Sequence, residues 1–309
     1  MLDPLVSIVV ITYNSSEFVL ETLESAKAQT YQNIELIISD DCSTDNTVDV
    51  CKNWLKDNKV RFVRTELITV EKNTGIPANC NRGVRAAKGV WVKTIAGDDI
   101  LDKRCIEIHT MFIKENGTCK IIISRQENFI SSNSNEKEIV GYTPSSKELE
   151  QFSKEDPHLQ FQYFLQGNTM PGSATFIKTD LFELVNYFDE EYPLIEDIPF
   201  FLKVTNNGIP ICILEEITVH HRVHPGSLTS NNDRIIISTL YGYYRCLLFY
   251  ARKEKQHFLV FNIIWHKIFT DIIFFIGNKG VMCKLINAIR RYLQPSNFKR
   301  YLKKYLFRK

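Results

Sequence analysis

Four apolar, β-branched runs in the first hundred residues are each followed by a polar cluster, and this repeated order is what most constrains the fold. Leu5 to Thr12 (LVSIVVIT) is the continuous apolar run expected of a strand buried on both faces of a parallel sheet. Asn14-Ser15-Ser16 can cap a helix, and Phe18 to Ala28 repeats apolar positions at helical spacing. Ile34 to Ser39 then reads as strand, Asp45 to Leu55 as helix, Val60 to Arg64 as strand, Ala78 to Ala87 as helix and Val90 to Ile95 as strand. Strands separated by single helices are βαβ units, so an α/β protein with a mostly parallel sheet flanked by helices is expected.

The clusters Thr12-Tyr13-Asn14, Asp40-Asp41, Asn73 and Asp98-Asp99 fall roughly one βα unit apart, after the strands. Parallel strands of an open α/β sheet end on one edge, and ligands bind in the crevice outside it. Four stretches remote in sequence are therefore expected to build one site. Neither GxGxxG nor GxxxxGK[ST] occurs, which removes support for a dinucleotide dehydrogenase or a P-loop NTPase.

Beyond Leu101 the pattern predicts a helix over Arg104 to Lys114, a strand over Lys120 to Ser124 and a long loop or lid from Asn128 to Pro157, rich in Ser, Asn, Glu and Lys. A helix from Leu159 to Leu165, a strand from Ser173 to Lys178, a helix from Pro199 to Asn206 and a strand from Val219 to Val223 follow. From Ile235 the pattern is helical to the end, broken near Gly277 to Gly280 and at Pro295. This divides the chain into a catalytic domain, 1–234, and a helical extension, 235–309.

Asp98-Asp99, preceded by Gly97, offers two carboxylates in a tight turn where a hard cation and the backbone can approach closely. Asp40 and Asp41 can accept from a base N–H as well as cap the next helix, and Thr12-Tyr13 add a hydroxyl and a flat ring suited to a nucleobase. Asn73 to Gly83 mixes amides, Arg82 and glycines, as a ribose and phosphate wall would. Glu196-Asp197 precedes Pro199 at a helix start, where Asp197 is either a cap or a general base. In His220-His221-Arg222-Val223-His224, Arg222 could face phosphate and His224 could ligate metal.

Eight scattered cysteines, with no CxxC pair and no Cys/His cluster at zinc spacing, suit a reducing compartment. The start of the chain lacks a signal-peptide pattern, so a cytoplasmic protein is expected. Residues 272–309 hold ten Lys or Arg and no Asp or Glu, leaving 28 basic and 36 acidic side chains in the rest, about −8. An acidic body with a basic, apolar tail points to an anionic membrane surface and not to nucleic acid. Phe258 to Ile276 is apolar but interrupted by Asn262, His266, Lys267 and Asp271, so a crossing helix is not expected. The cations from Lys284 to Lys309 interleave with Leu, Ile, Phe and Tyr in the manner of an interfacial helix, which suits a peripheral protein on the inner face of the membrane. Packing on the domain, or on a second copy of the chain, is the other use open to this extension.

Together the pieces resemble glycosyltransferase family 2, inverting enzymes of the Rossmann-like GT-A fold that build bacterial surface polysaccharides such as O-antigen or capsule. The resemblance covers residues 4 to 230 through "VSIVVITYNSSEFVLETLESAKAQTYQNIELIISDDCSTDNT", "NTGIPANCNRGVRAAKG", "AGDDIL", "EDIPFFLKV" and "HRVHPGSLT". It implies a nucleotide-sugar donor, UDP-linked, and a saccharide acceptor that a lipid diphosphate could carry. It implies a donor half of about 1–100 and an acceptor half of about 101–234. It also implies that Thr12, Tyr13, Asp40 and Asp41 line the nucleobase pocket and that Asn73 and Asn81 line the donor wall. Asp98 and Asp99, with His224, would meet the diphosphate and Mn²⁺ or Mg²⁺; Asp197 would be the base and Glu196 its neighbour. One departure stands out: where the family's metal motif often begins with Asp, this chain has Ala96. A sugar-1-phosphate nucleotidyltransferase would need an N-terminal glycine-rich loop, and a non-catalytic sugar-binding protein would be expected to have lost these carboxylates; neither condition is met.

Overall fold

The computed structural model describes residues 3–131, 137–152, 156–224 and 233–276, the last span with side chains from 238 to 272. The chain divides into two compact units, Met1–Phe164 with Asn168–Ile236, and Leu165–Gly167 with Ile237–Lys309.

The first unit is built on strands β1 (Val6–Thr12), β2 (Ile34–Asp40), β3 (Thr65–Thr69), β4 (Trp91–Ala96), β5 (Ile100–Leu101), β6 (Ile121–Ser131), β7 (Lys137–Thr143), β8 (Thr175–Lys178) and β9 (Cys212–Arg222). Its helices are α1 (Val19–Lys27), α2 (Thr47–Asn58), α3 (Ile76–Ala86), α4 (Cys105–Glu115), α5 (Ser146–Gln151), α6 (Pro157–Leu165), α7 (Thr179–Leu184) and α8 (Asp197–Asn206). The strands lie in the order β3-β2-β1-β4-β8-β6-β9-β5, with β7 paired to β6. β1, β2, β3 and β4 are mutually parallel; β8 pairs antiparallel with β4 and β6, and β9 runs parallel to β6. The sheet is therefore parallel on the N-terminal side and mixed on the other.

Core formation follows from the apolar runs. Every residue of β2 is buried, and Ile8, Val10, Leu36, Ile38, Ile95, Leu23 and Trp54 meet in one cluster. Glu35 is one of the polar residues buried in β2: its carboxylate accepts from Ser7, Arg64 and the amides of Lys88 and Gly89, tying together segments at the sheet edge away from the strand C-termini. Helix α3 lies close on β1 because Gly83 has no side chain, and a Cβ there would meet Val9 Cγ1 at 2.4 Å.

Register levels the strand ends that matter. Thr12 pairs with Asp40, Asp40 with Thr69, and Ile11 with Ala96. The chain runs outward from β1 through β2 to β3, then returns to the far side of β1 for β4, so the crevice opens between β1 and β4.

Two expected segments differ. Val60 to Arg64 is not a strand: α2 continues to Asn58, a 3₁₀ turn covers Lys59–Arg61, and pairing with β2 starts at Thr65. Val60 and Val63, which suggested a strand, are 88% and 65% exposed. Asn128 to Pro157 is not one long loop: β6 runs on to Ser131, β7 forms an edge strand, and Ser145 starts α5 with a reciprocal capping box to Glu148. β7 is solvated over most of its length, so no apolar alternation marks it in the sequence. Cys119 and Cys212 form a disulfide, brought together by the pairing of β6 with β9, a link that scattered cysteines had not suggested.

The second unit holds most of α9 (Asp233–Lys253) and α10 (His257–Ile276). Tyr244 bonds Thr270 at 3.0 Å, and Asp271 takes both Lys267 at 3.0 Å and the Tyr241 hydroxyl, so the helices form an antiparallel hairpin with paired charges. No helix of the described residues is long and apolar enough to cross a membrane. The basic stretch expected to dock on a membrane, 284–309, lies outside the described residues.

Candidate active site

The turns after β1 and β2 interlock. Thr12 Oγ1 donates to Asp40 Oδ2 at 2.8 Å, and the Asp40 carboxylate also accepts from Ser43 N at 2.8 Å and Ser43 Oγ at 2.5 Å. Asn14 N donates to Ser43 Oγ and Thr44 N to Asn14 Oδ1, both at 2.8 Å. Asn14 (φ 50°) and Cys42 (φ 68°) take left-handed backbone to close these turns. Tyr13 stands beside this latch and is 49% exposed.

Asp41 is buried and saturated. Its carboxylate accepts from Thr74 N and Gly75 N at 2.8 Å each, Thr74 Oγ1 at 2.6 Å and Arg82 Nη2 at 2.8 Å. Burial pushes its carboxyl up, but these bonds outweigh it and hold the group below the usual 3.8. The turn it organises needs glycine: Gly75 sits at φ 92°, and a Cβ would meet Pro193 O at 2.7 Å. Ile76 N donates to that same carbonyl at 2.9 Å, so the turn is tied to the segment that leads to Glu196.

Asn73 is exposed on this turn, while Asn81 faces inward. The Asn81 amide is spent on Phe188 N at 2.9 Å, Phe188 O at 3.0 Å and Glu190 at 2.7 Å, an anchor for the loop before α8 and not an open donor wall. Asn79 lies at the crevice instead, donating to Thr12 O at 3.1 Å and accepting from Ser39 Oγ at 2.6 Å and Arg82 at 3.0 Å.

The two aspartates after β4 point different ways. Asp98 Oδ2 meets His224 Nε2 at 3.1 Å. Asp99 is buried and takes His221 Nδ1 at 2.9 Å and Arg222 N at 3.0 Å. Burial raises the Asp98 carboxyl and the Asp99 charge raises it further, against the pull of His224. Burial works against a charged His221, yet its bonds to Asp99 raise its pKa above 6.5. Arg222 does not face an open phosphate site: its guanidinium bonds Asp98 O at 3.0 Å, Glu21 at 2.9 Å and Ser131, between the rings of Phe18 and Phe129. No cluster of three His, Cys, Asp or Glu able to hold a metal forms among the described residues; Asp99 bonds His221 while Asp98 bonds His224. That pair is nonetheless one carboxylate and one imidazole converging, a donor set that fits Mn²⁺ or Mg²⁺ completed by phosphate oxygens.

Glu196 and Asp197 sit at the start of α8, where Asp197 Oδ1 accepts from Ile198 N at 2.7 Å. They line a cavity of about 90 Å³ together with Ala96 at the end of β4, Cys80, Ser173 and Phe200. Burial raises both carboxyls above the ordinary range, and the adjacent Asp197 raises Glu196 further.

The sequence profile described as Glycosyl transferase family 2 matches residues 7–184, more than half of the chain. The chain belongs to that family. Among curated relatives, Glycosyltransferase GlyG of Streptococcus pneumoniae is 34% identical over 136 residues, 43% of each chain, so the match spans less than half of that relative. The Escherichia coli protein WfaP, a UDP-Glc:alpha-D-GlcNAc-diphosphoundecaprenol beta-1,3-glucosyltransferase, is 27% identical over 237 residues, 75% of this chain and 83% of that one. Of solved structures, S. aureus TarS 1–349 in complex with UDP-GlcNAc aligns at TM-score 0.63 and 19% identity, over 85% of this chain and 73% of its own. The mannosyltransferase PcManGT of Pyrobaculum calidifontis, in complex with GDP-Man and Mn²⁺, aligns at TM-score 0.54 and 15% identity, over 82% and 64%. The fold of this family 2 glycosyltransferase is thus GT-A, with helices following the catalytic sheet.

Sequence reasoning placed Asn79 and Arg82 only within the Asn73 to Gly83 wall, with no role of their own, and gave His221 none. Asn79 and Arg82 are one helical turn apart on α3 and join across one face, a spacing that was readable. His221 has no such signal, since only the pairing of β9 with β5 carries it to Asp99.

Proposed function

We propose that this chain transfers a sugar from a nucleotide diphosphate donor, UDP-linked, to a hydroxyl of a saccharide acceptor carried on a lipid diphosphate, with inversion at the anomeric carbon. What supports the reading is one juxtaposition. The strand that leads to Asp98, the partner of His224, ends at Ala96 in the cavity lined by the raised carboxylates Glu196 and Asp197. A group for the leaving diphosphate and a group for the attacking hydroxyl thus flank one crevice. The name of WfaP supports the UDP donor and lipid diphosphate acceptor, and the TarS complex supports UDP-sugar binding on this fold.

The roles follow from where charge develops. When the glycosidic bond breaks, negative charge builds on the diphosphate, and a divalent cation neutralises it when bound. Asp98 and His224 would hold that cation, and Asp99 fixes the end of β9, two residues before His224. Tyr13 offers its face to the base, beside the Thr12–Asp40 latch, with Asp41 and Asn73 on the adjoining turn. Asp197 takes the proton of the acceptor hydroxyl, its raised carboxyl pKa making it a better base near neutral pH. Glu196 orients it. No protein nucleophile intervenes, so a single displacement inverts the anomer. The cation-rich stretch 284–309 supports docking on an anionic membrane where such an acceptor resides.

The test is a donor screen with UDP-glucose, UDP-N-acetylglucosamine and GDP-mannose against N-acetylglucosamine-diphosphate-lipid, reading nucleoside diphosphate release and product mass with Mn²⁺, Mg²⁺ or EDTA. Acceptor-dependent UDP release that needs the cation is expected. Full activity in EDTA would sink the metal assignment, and no transfer from any nucleotide sugar would sink the reading.

A further inference from the structure

Lys93 lies in the middle of β4 and is 0% exposed. Taking an ammonium out of water costs several kcal/mol, which a valine or isoleucine at this central strand position would not incur. Among the described residues no carboxylate is hydrogen-bonded to it in return. Its protons instead meet main-chain carbonyls: Thr94 O at 3.2 Å, Thr175 O at 3.2 Å and Ser173 O closer still. Burial pulls the ammonium down to about 8, against the opposing influence of Cys105 and Asp99.

Two of those carbonyls belong to the single 3₁₀ turn Gly172–Ala174 and the first residue of β8. Ser173 is held a second time, its hydroxyl donating to Gln126 Oε1 at 2.6 Å. The outer side of this turn is the acceptor side of the crevice. A Cβ on Gly172 would stand 3.0 Å from Asp197 Cβ, 3.5 Å from Glu196 Oε1 and 3.7 Å from Asp197 Oδ2. Glu196 and Asp197 thus rest on a turn whose inner face is clamped by a buried cation.

We infer that Lys93 is a positioning residue for the base of transfer: it pins the Gly172–Ala174 turn, and that turn sets where the Asp197 and Glu196 carboxylates stand. The inference rests on the proposed reading of Asp197 as base. Lys93 bonds only main-chain carbonyls and does not line the cavity of Glu196 and Asp197, so its effect passes through Asp197 and belongs in turnover and not in donor binding. A misplacement of about 1 Å in a reacting group costs up to roughly 10²-fold in rate.

The test uses the full chain with the donor and acceptor pair that supports UDP release. Lys93→Met, Gly172→Ala, Asp197→Asn, Glu196→Gln and the Lys93→Met/Asp197→Asn double variant are compared, with folding checked by circular dichroism. Gly172→Ala leaves the ammonium in place and displaces the carboxylates from the other side; Gly172 has no positive φ to forbid alanine. Lys93→Met and Gly172→Ala are each expected to lower kcat by roughly 10- to 100-fold with donor KM within about twofold. The double variant is expected within about threefold of Asp197→Asn alone, because groups acting through one another are not additive. Wild-type kcat in a folded Lys93→Met, or losses that multiply in full in the double variant, would overturn the inference. If Lys93→Met does not fold, Gly172→Ala decides, and wild-type kcat there overturns it. Wild-type turnover in both Asp197→Asn and Glu196→Gln would instead remove the base reading and the inference with it.

Discussion

Asp41 and Glu196 are both shielded carboxylates on the rim of one crevice, yet the protein treats them in opposite ways. Asp41 receives four hydrogen bonds, one from Arg82, and its acidity is increased. Glu196 and its neighbour Asp197 stand side by side against Gly172, with the Ile198 amide on Asp197, and their acidity is reduced. Burial acts the same way on both, so the difference lies in what the fold supplies afterwards. On the donor side it spends its donors internally and produces a rigid frame. On the acceptor side it withholds them and leaves carboxylates suited to taking a proton.

The comparison breaks most sharply at Asp197. Asp197→Asn keeps shape and the bond to Ile198 N, so turnover should fall roughly 10²- to 10⁴-fold, the worth of a general base, with UDP affinity measured by calorimetry little changed. Equal activity in Asp197→Asn and wild type would move the base elsewhere. Asp41→Asn should do the reverse and cost stability: it leaves Arg82 facing a neutral partner in a nearly buried pair, and about 3 kcal/mol should be lost in denaturant unfolding. Next comes Asp99→Asn, which loosens His221 and the end of β9 that leads to His224; metal-titrated turnover should show roughly 10- to 100-fold weaker apparent Mn²⁺ affinity. Tyr13→Ala, on the exposed rim, is expected to weaken UDP binding by roughly tenfold through lost stacking, without altering unfolding.

The pH dependence of stability sharpens the same contrast with opposite signs. Asp41, depressed in the folded state, contributes stability that is present above 3.8 and lost as pH falls through its folded value. Glu196, raised in the folded state, contributes stability that is full below 4.5 and lost as pH rises through its folded value. Glu196→Gln should therefore flatten the slope on the neutral side of a melting-temperature profile and leave the acid side intact. A neutral-side slope unchanged by this substitution would place its origin in another group.

Much of this was legible before any coordinates. The apolar runs at Leu5 and Ile34 are short, β-branched and closed by polar residues, which marks them as strands buried on both faces. Their alternation with helices then placed Thr12, Asp40 and Asp98 on one edge. The segments that misled are those whose residues carry no burial signal: Val60 and Val63 are apolar but exposed, and the polar β7 is a strand only because the β6 backbone offers it hydrogen bonds. The disulfide likewise depends on strand pairing and leaves no mark in cysteine spacing.

Local order and periodicity are properties of a few neighbouring residues, so the sequence by itself determined the α/β class, the strand ends and the identities of the carboxylates near them. The tertiary structure alone decided which way each carboxylate points and what it meets. Asp98 and Asp99 are adjacent in sequence, but one reaches His224 and the other His221, because β9 returns from more than a hundred residues away to pair with β5. Arg222 and Asn81 read as ligand-facing groups and turned out to be internal ties, since the residues that saturate them come from distant parts of the chain. A side chain's availability to a ligand is what remains after its long-range partners are satisfied, and only the folded chain brings those partners within hydrogen-bonding distance.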